Sequence, residues 1–227
     1  MKLQPICLAF LSFSLVLSLT GAMVDAAPVA DKDGRAGSWR KAEQGAPDLK
    51  AAQAKVDKNP KDADALNDLG FAYRQNGKLD DAAKYLKQAI ELKPDMGQAH
   101  ANLSVVYYDQ NKFADAVTEA QKAVKTDADQ PIFRVVLGNA LSKTGDLKGA
   151  AQEYKVAIHL KPDYENAHYH LGRVQNEDGQ TNDAKYTLSK ALELDPNDER
   201  VLVLLDKLEK SGASTDAPAK LPRKNPS

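Results

Sequence analysis

The sequence contains a single cysteine, Cys7, which lies in an apolar run at the N-terminus. One thiol cannot form an intramolecular disulfide, and the chain has no cysteine spacing of the kind that binds zinc. The formal net charge is only −1, so we expect no basic surface that would attract nucleic acid or anionic lipid. The fold must therefore be stabilised by packing, and a nucleic-acid partner is not expected.

Residue patterns typical of catalysis or cofactor binding are also missing. The glycines are dispersed and form no phosphate-binding loop. His168 and His170 are two residues apart, a spacing at which side chains on a helix point in different directions. We therefore predict that the protein is not an enzyme, with no catalytic residue, cofactor, metal site or small-molecule substrate.

The first 26 residues have the proportions of a secretory signal peptide. A positively charged start is followed by a nearly continuous apolar run over residues 6–19 and by the small-x-small sequence Val24-Asp25-Ala26. The run is shorter than the ~20 apolar residues that span a bilayer. We expect an extracytoplasmic protein, in the bacterial periplasm or secreted. The alternative is an uncleaved membrane anchor, which would place the protein at a membrane.

The next two segments differ in composition. Residues 27–47 have no helical or strand periodicity and indicate a flexible linker, in which Trp39 either packs on the first helix or anchors a partner. Residues 48–62 form an N-terminal flanking helix that ends before Pro60 and has an apolar stripe of Leu49, Ala52 and Val56.

A period of 34 residues organises the rest of the chain, in four units at 63–96, 97–130, 131–164 and 165–198. The seventh position is always leucine, at Leu69, Leu103, Leu137 and Leu171. Two positions are always alanine: the twentieth at Ala82, Ala116, Ala150 and Ala184, and the twenty-seventh at Ala89, Ala123, Ala157 and Ala191. The eighth is small, at Gly70, Ser104, Gly138 and Gly172.

The spacing of apolar residues predicts two helices in each unit. Gly77, Gly145 and Gly179 lie between the two helices, where a left-handed residue is tolerated, and Asn111 occupies that place in the second unit. Small residues at the repeated positions allow the helices to approach closely, and a proline near the end of most units stops the second helix.

This pattern resembles the tetratricopeptide repeat, a helix-turn-helix unit of 34 residues. The resemblance implies an all-α, right-handed α-solenoid of about four repeats with flanking capping helices. Two positions depart from the family pattern. The large fourth residue is Leu66, His100, Arg134 and His168, and we expect the two histidines to pack in the core rather than to bind a metal. The eleventh is tyrosine at Tyr73 and Tyr107 but Leu141 and Gln175 later, so we expect looser packing in the last two units.

Residues 199–210 predict a C-terminal capping helix whose apolar face combines Val201, Leu202, Leu205 and Leu208. A solenoid needs such a cap because each repeat buries its apolar side only on a neighbour. The tail at 211–227 is predicted to be disordered.

In the family that the chain resembles, first helices line a concave groove that binds partners. The resemblance places the following candidate partner-binding residues there: Asn67, Phe71, Arg74, Asn102, Val105, Tyr108, Ile132, Val135, Asn139, Tyr169, Arg173 and Asn176. Their apolar members are not expected in the repeat core, and their asparagines could bond a peptide backbone. The alternative is that a terminal helix of the chain packs there.

The residues that clamp a chaperone carboxylate in some family members are replaced here, at Phe71, Ile132 and Val136 among others, so that ligand is not expected. The sequence thus favours a non-catalytic scaffold that binds a protein or peptide. Two alternatives remain: a self-associating, homo-oligomeric platform, and an accessory subunit of an envelope enzyme or secretion complex.

Overall fold

The computed structural model describes residues 48–213, with side chains described for 48–210. The predicted signal peptide (1–26) and linker (27–47), and the tail beyond residue 213, lie outside the described residues. Within residues 48–213, no helix is both long and apolar enough to cross a membrane.

The described part of the chain contains ten helices and no strand. In chain order the helices are α1 (Leu49–Lys58), α2 (Ala63–Gln75), α3 (Leu79–Leu92), α4 (Gly97–Asp109), α5 (Phe113–Thr126), α6 (Pro131–Lys143), α7 (Leu147–Leu160), α8 (Glu165–Glu177), α9 (Thr181–Leu194) and α10 (Glu199–Ala213).

The helices form a stack of antiparallel pairs. Each first helix (α2, α4, α6, α8) packs on its own second helix (α3, α5, α7, α9), and each second helix packs on the first helix of the next unit. The helix α1 packs on α2 at one end, and α10 packs on α9 at the other. The predicted all-α solenoid is confirmed. The cap helix α10 ends at Ala213, so the residues 211–213 that we predicted to be disordered are helical.

The helix boundaries follow from local chemistry. Asp62 caps α2 by accepting hydrogen bonds from the backbone N–H groups of Asp64 and Ala65, at 3.0 and 3.1 Å. In the turn between α2 and α3, Gly77 has a φ of 72°, and Asn111 has a φ of 60° in the equivalent turn. The structure therefore confirms that these turns need a left-handed residue.

The two alanine positions form the tightest part of the core. All eight alanines are completely buried (0 % exposed). A further close contact was not predicted from the sequence: the eighth residue lies under the twenty-fourth. A Cβ atom on Gly138 would come within 2.6 Å of Tyr154 Cε1, and one on Gly172 within 2.6 Å of Leu188 Cγ. The glycines are thus required by large residues on the second helix.

The second unit fills the space between the eighth and twenty-fourth positions with a different pair of residues. There the eighth residue is Ser104 and the twenty-fourth is Ala120, and both are buried. Ser104 Oγ donates a hydrogen bond to the backbone oxygen of Ala116 at 2.7 Å. A slightly larger residue on the first helix is therefore matched by a smaller one on the second.

The third unit corrects one expectation. We expected loose packing after tyrosine is lost at the eleventh position, but Tyr154 is completely buried in this unit and packs in one cluster with Leu141. In the fourth unit the equivalent residue, Gln175, is buried with no hydrogen-bond partner for Oε1 among the described residues.

The two histidines at the fourth position behave differently. His100 is buried and lies between Glu119 Oε2 at 2.6 Å and the backbone oxygen of Pro94 at 3.0 Å, as core packing requires. His168 is partly exposed and contacts the backbone oxygen of Pro162 at 2.9 Å, so its assignment to the core is wrong. Within the described residues, no group of three or more His, Cys, Asp or Glu side chains could hold a metal ion.

The cap helix α10 also differs from expectation. Val201 and Leu208 are buried on the fourth unit, but Leu202, assigned to the same face, is 44 % exposed. Leu202 falls at the fourth position of a fifth unit, where His100 and Arg134 of complete units each contact a glutamate on the second helix. Because α10 is followed by no second helix in the described residues, Leu202 remains open, as does Val203 (69 % exposed).

Candidate partner-binding groove

The first helices lie side by side, with contacts between α2 and α4, α4 and α6, and α6 and α8. The residues predicted to bind a partner lie on these helices. We call the side of the first helices and of the cap helix α10 on which these residues lie the inner face.

Side chains on the inner face contact each other across neighbouring units with a separation of 35 residues. Asn102 Nδ2 donates to Asn67 Oδ1 at 2.9 Å, and Arg74 Nε donates to Asp109 Oδ2 at 2.7 Å. Lys143 Nζ lies 5.9 Å from the ring centroid of Tyr108, within cation–π distance. These three contacts thus join residues whose separation is one more than the repeat length.

Three of the predicted residues are not available to a partner. Val135 is 4 % exposed and packs with Tyr154 and Leu171, while Tyr169 is 5 % exposed and packs with Leu188 and other core residues. Asn67 is also buried. The expectation that the apolar members of the set lie outside the repeat core is wrong for Val135 and Tyr169, because each packs against the second helix of its own unit and the helix that follows it.

The asparagines are already engaged within the protein. Asn67 and Asn102 bond each other, Asn139 Oδ1 accepts a hydrogen bond from the hydroxyl of Tyr154 at 2.7 Å, and Asn166 Oδ1 accepts one from Arg200 at 3.1 Å. Asn176, near the end of α8, is partly exposed. The amides therefore join first helices to their neighbours, a role that we did not predict.

Four apolar residues of the inner face remain partly exposed, on α2, α4 and α6: Phe71, Val105, Tyr108 and Ile132. We call these four residues the apolar patch. Val105 and Ile132 border a buried cluster that contains Val136. Phe71 belongs to none of the buried clusters of the described residues, and the ring of Tyr108 meets Phe113 edge-on at 5.6 Å.

The C-terminal part of the inner face carries a network of polar side chains, in which Arg200 Nη1 is buried without a hydrogen-bond partner among the described residues. Arg173 donates to Glu177 Oε1 at 2.8 Å and to Ser142 Oγ at 3.2 Å. Arg200, on the cap helix, donates to Asp198 Oδ2 at 2.6 Å and stacks on Tyr169, with its guanidinium carbon 4.5 Å from the ring centroid. Sequence reasoning missed Arg200, although it stands at the second position of a fifth unit, a groove position in the preceding ones.

Electrostatics in this network are governed by burial and by the two arginines. Burial would raise the pKa of Asp198, but the hydrogen bonds and the charge of Arg200 outweigh it and hold that pKa below its usual range. The ring of His170 stacks on Tyr154 at 5.6 Å and meets Tyr169 edge-on at 5.2 Å, and its Nδ1 has no partner among the described residues. Burial and the nearby Arg173 and Arg200 lower the pKa of His170 well below its usual value.

We expect stability to fall on acidification because of His170. Its pKa in the folded protein lies below the unfolded value of about 6.5, so below that pH the unfolded chain binds a proton that the folded protein excludes. The loss approaches ~1.4 kcal/mol per pH unit as the pH falls from about 6.5 toward the folded-state pKa. His170→Phe should remove this loss, measured as the urea midpoint at pH 7, 6 and 5.

A matched control is the exposed His159 on α7. His159→Phe makes the same substitution at an exposed position, and its urea midpoints at pH 7, 6 and 5 serve as the comparison. If the His170 variant loses stability on acidification as steeply as the parent protein, the idea that His170 stays neutral in the folded protein is refuted.

Paired helices stacked by one repeat length, with side chains exposed along the first helices, define a helical repeat protein of the solenoid class. Models described as "Tetratricopeptide repeat" match residues 40–99, 73–136 and 166–198, and one described as "TPR repeat" matches residues 138–179. The chain belongs to the tetratricopeptide repeat family.

Solved structures agree on the fold. TTC0263, a thermophilic TPR protein of Thermus thermophilus, is 20% identical with a TM-score of 0.64, over 71% of this chain and 89% of that chain. YrrB, described as a TPR protein with an unusual peptide-binding site, is 20% identical with a TM-score of 0.57, over 74% and 95%. Pseudomonas aeruginosa pilF is 27% identical with a TM-score of 0.63, over 67% and 69%. No curated protein matches the chain.

Proposed function

We propose that the protein is a non-catalytic interaction scaffold that binds a segment of a partner protein on its inner face. The observation that carries this proposal is the apolar patch on three consecutive first helices, which is partly exposed although the fold leaves little other apolar surface on the inner face. The family fold supports it, since tetratricopeptide repeats are generally interaction modules. YrrB, a protein of similar fold, is described as having a peptide-binding site.

We further propose that the scaffold acts outside the cytoplasm, in the bacterial periplasm or after secretion. This rests on the sequence of residues 1–26 and on the single cysteine, Cys7, which cleavage after Ala26 would remove. A chain without cysteine cannot form wrong disulfides in an oxidising compartment.

A second candidate function is self-association into a homo-oligomeric platform. The exposed Leu202 and Val203 on the cap helix favour it, because exposed apolar residues at the end of a solenoid offer a surface for another copy.

The groove is tested by removing two aromatic side chains. The double variant Phe71→Ala/Tyr108→Ala should lower the recovery of crosslinked partner from envelope extract at least tenfold, since each aromatic anchor of an interface can contribute more than ~1 kcal/mol. Partner recovery would be quantified by mass spectrometry after crosslinking to the purified protein.

The control is Tyr186→Ala, which removes an aromatic residue that is 69 % exposed on the second helix α9. It should leave recovery unchanged, and circular dichroism should show both variants folded. Equal recovery with the double variant and the parent protein would rule out the inner face as the binding site.

A further inference from the structure

Building on the partner-binding function proposed above, we propose that the inner face selects an uncharged segment with large apolar side chains, anchored on the apolar patch, and that its binding is insensitive to salt. Arg74 and Asp109 form an ion pair at 2.7 Å, and their side chains are only 13% and 20% exposed. A charged ligand would have to compete with a partly buried partner that is already in place, which is unfavourable.

The arginines at the other end of the inner face are also paired. Arg173 bonds Glu177 at 2.8 Å, and Arg200, whose side chain is 9% exposed, bonds Asp198 at 2.6 Å and lies 3.6 Å from Glu165. An acidic segment therefore meets cations whose charge is already balanced by carboxylates. A basic segment meets carboxylates whose charge is already balanced by these arginines.

The asparagine amides of the inner face also have hydrogen-bond partners within the protein. The oxygen atoms of Asn67, Asn139 and Asn166 accept hydrogen bonds from Asn102, Tyr154 and Arg200. These bonds fix the orientation of each amide, so a ligand can use only the second lone pair of each oxygen and the remaining amide N–H groups. Each such bond replaces one to water, and its net gain is small. Polar contacts can thus orient a ligand, but little of the affinity is expected to come from them.

Apolar contact is therefore the main favourable term that the inner face offers. Burying part of Phe71, Val105 and Tyr108 under a ligand removes apolar surface from water. A ligand charge next to Arg74 or Arg173, in contrast, would be desolvated beside a cation that already has a carboxylate partner. Neighbouring helix axes lie ~8–10 Å apart, so the patch across three helices spans ~16–20 Å. That length fits about six residues of extended chain or about 12 residues of helix.

The experiment uses a displayed library of random 12-residue peptides, selected on the purified full chain and counted by sequencing. The comparison protein is the Phe71→Ala/Tyr108→Ala variant. We expect the peptides enriched only on the parent protein to have a net charge near zero and several aromatic or large aliphatic residues. Their dissociation constants should change less than threefold between 50 and 500 mM NaCl, because screening acts on charge pairs and not on apolar contact.

A second variant converts the site into one for charged ligands. Asp109→Asn keeps the size of the side chain but removes the carboxylate charge that Arg74 Nε contacts at 2.7 Å. We expect this variant to enrich acidic peptides, whose affinity falls at least tenfold over the same salt range. The control is Glu153→Gln, which breaks a comparable pair with Arg134 at 3.0 Å, away from the inner face, and should leave the neutral preference unchanged.

The outcomes distinguish a failure of the neutral selectivity from a failure of the partner-binding function on which it rests. If the parent protein enriches acidic or basic peptides with steep salt dependence, the neutral selectivity is overturned while the groove stands. If it enriches no peptide beyond those found on the Phe71→Ala/Tyr108→Ala variant, the proposed function itself fails. An Asp109→Asn variant that is folded by circular dichroism and still prefers neutral peptides would refute the argument from paired charges.

Discussion

Replacing Tyr154 by alanine should lower the free energy of unfolding by about 3–5 kcal/mol, the range for removing a large aromatic side chain from a core. Tyr154 is completely buried, packs with Ala167 and Leu171, and donates a hydrogen bond to Asn139. The alanine variant leaves a cavity between the third and fourth units. Urea unfolding followed by circular dichroism measures the loss.

The second unit indicates how the cavity can be filled. It carries Ser104 and Ala120 where the third unit carries Gly138 and Tyr154. Gly138→Ser alone should destabilise the protein, because the new Cβ would come within 2.6 Å of the tyrosine ring. In the Tyr154→Ala background the same substitution should be stabilising, since it restores part of the missing volume and a hydrogen bond like that of Ser104.

This change of sign is the critical result. Equal destabilisation by Gly138→Ser in both backgrounds would refute the proposed size matching between the two positions. Tyr186→Ala is the matched tyrosine control. Because Tyr186 is 69 % exposed on the adjacent second helix, the control should change stability by no more than ~0.5 kcal/mol.

Ending the chain at residue 198 should make the protein aggregate. The cap helix α10 covers an apolar cluster of the fourth unit that includes Tyr169, Leu188 and Ala191, and its own Val201 and Leu208 complete that cluster. Truncation exposes this surface, and a solenoid end without a cap is insoluble. Light scattering and size-exclusion chromatography of the truncated protein measure the effect, and a truncated protein that stays monomeric with an unchanged melting temperature would contradict it.

Two valines on α10 give a less drastic version of the test. Val201→Asp places a carboxylate in the cluster and forfeits about 1.5–3 kcal/mol of burial alone, whereas Val203→Asp changes a side chain that is 69 % exposed and should leave the melting temperature unchanged. If Val203→Asp instead dissociates an oligomer of the parent protein, self-association through the cap helix is supported.

Periodicity predicted the helices, the turns and the alanine positions because these depend on local spacing and on residue size. The exposure of Leu202 was not predictable from the pattern alone, since the fourth position of complete units can contact a second helix, and none follows α10 in the described part of the chain. Val135 and Tyr169 were wrongly predicted to lie outside the core for a related reason. The repeat position indicates which side of its own helix a residue lies on, but the burial of that residue also depends on how closely the next unit approaches.

The pairing across units could have been found from the sequence with one more rule. Arg74 and Asp109 have opposite charge and are 35 residues apart, as are the two asparagines 67 and 102 that bond each other. A search one residue beyond the period would have detected both pairs. The polar network around Arg200 was harder to predict, because it combines side chains from three helices and depends on the stacking of the guanidinium on Tyr169.

The contacts between residues 35 apart join the first helices of adjacent units. We expect them to limit the angle between one helix pair and the next. In a solenoid the small rotations between units add up, so a looser Arg74–Asp109 pair would displace the fourth unit more than the second. We therefore expect the same few contacts between units to set both the stiffness of the scaffold and the shape that it presents to a partner.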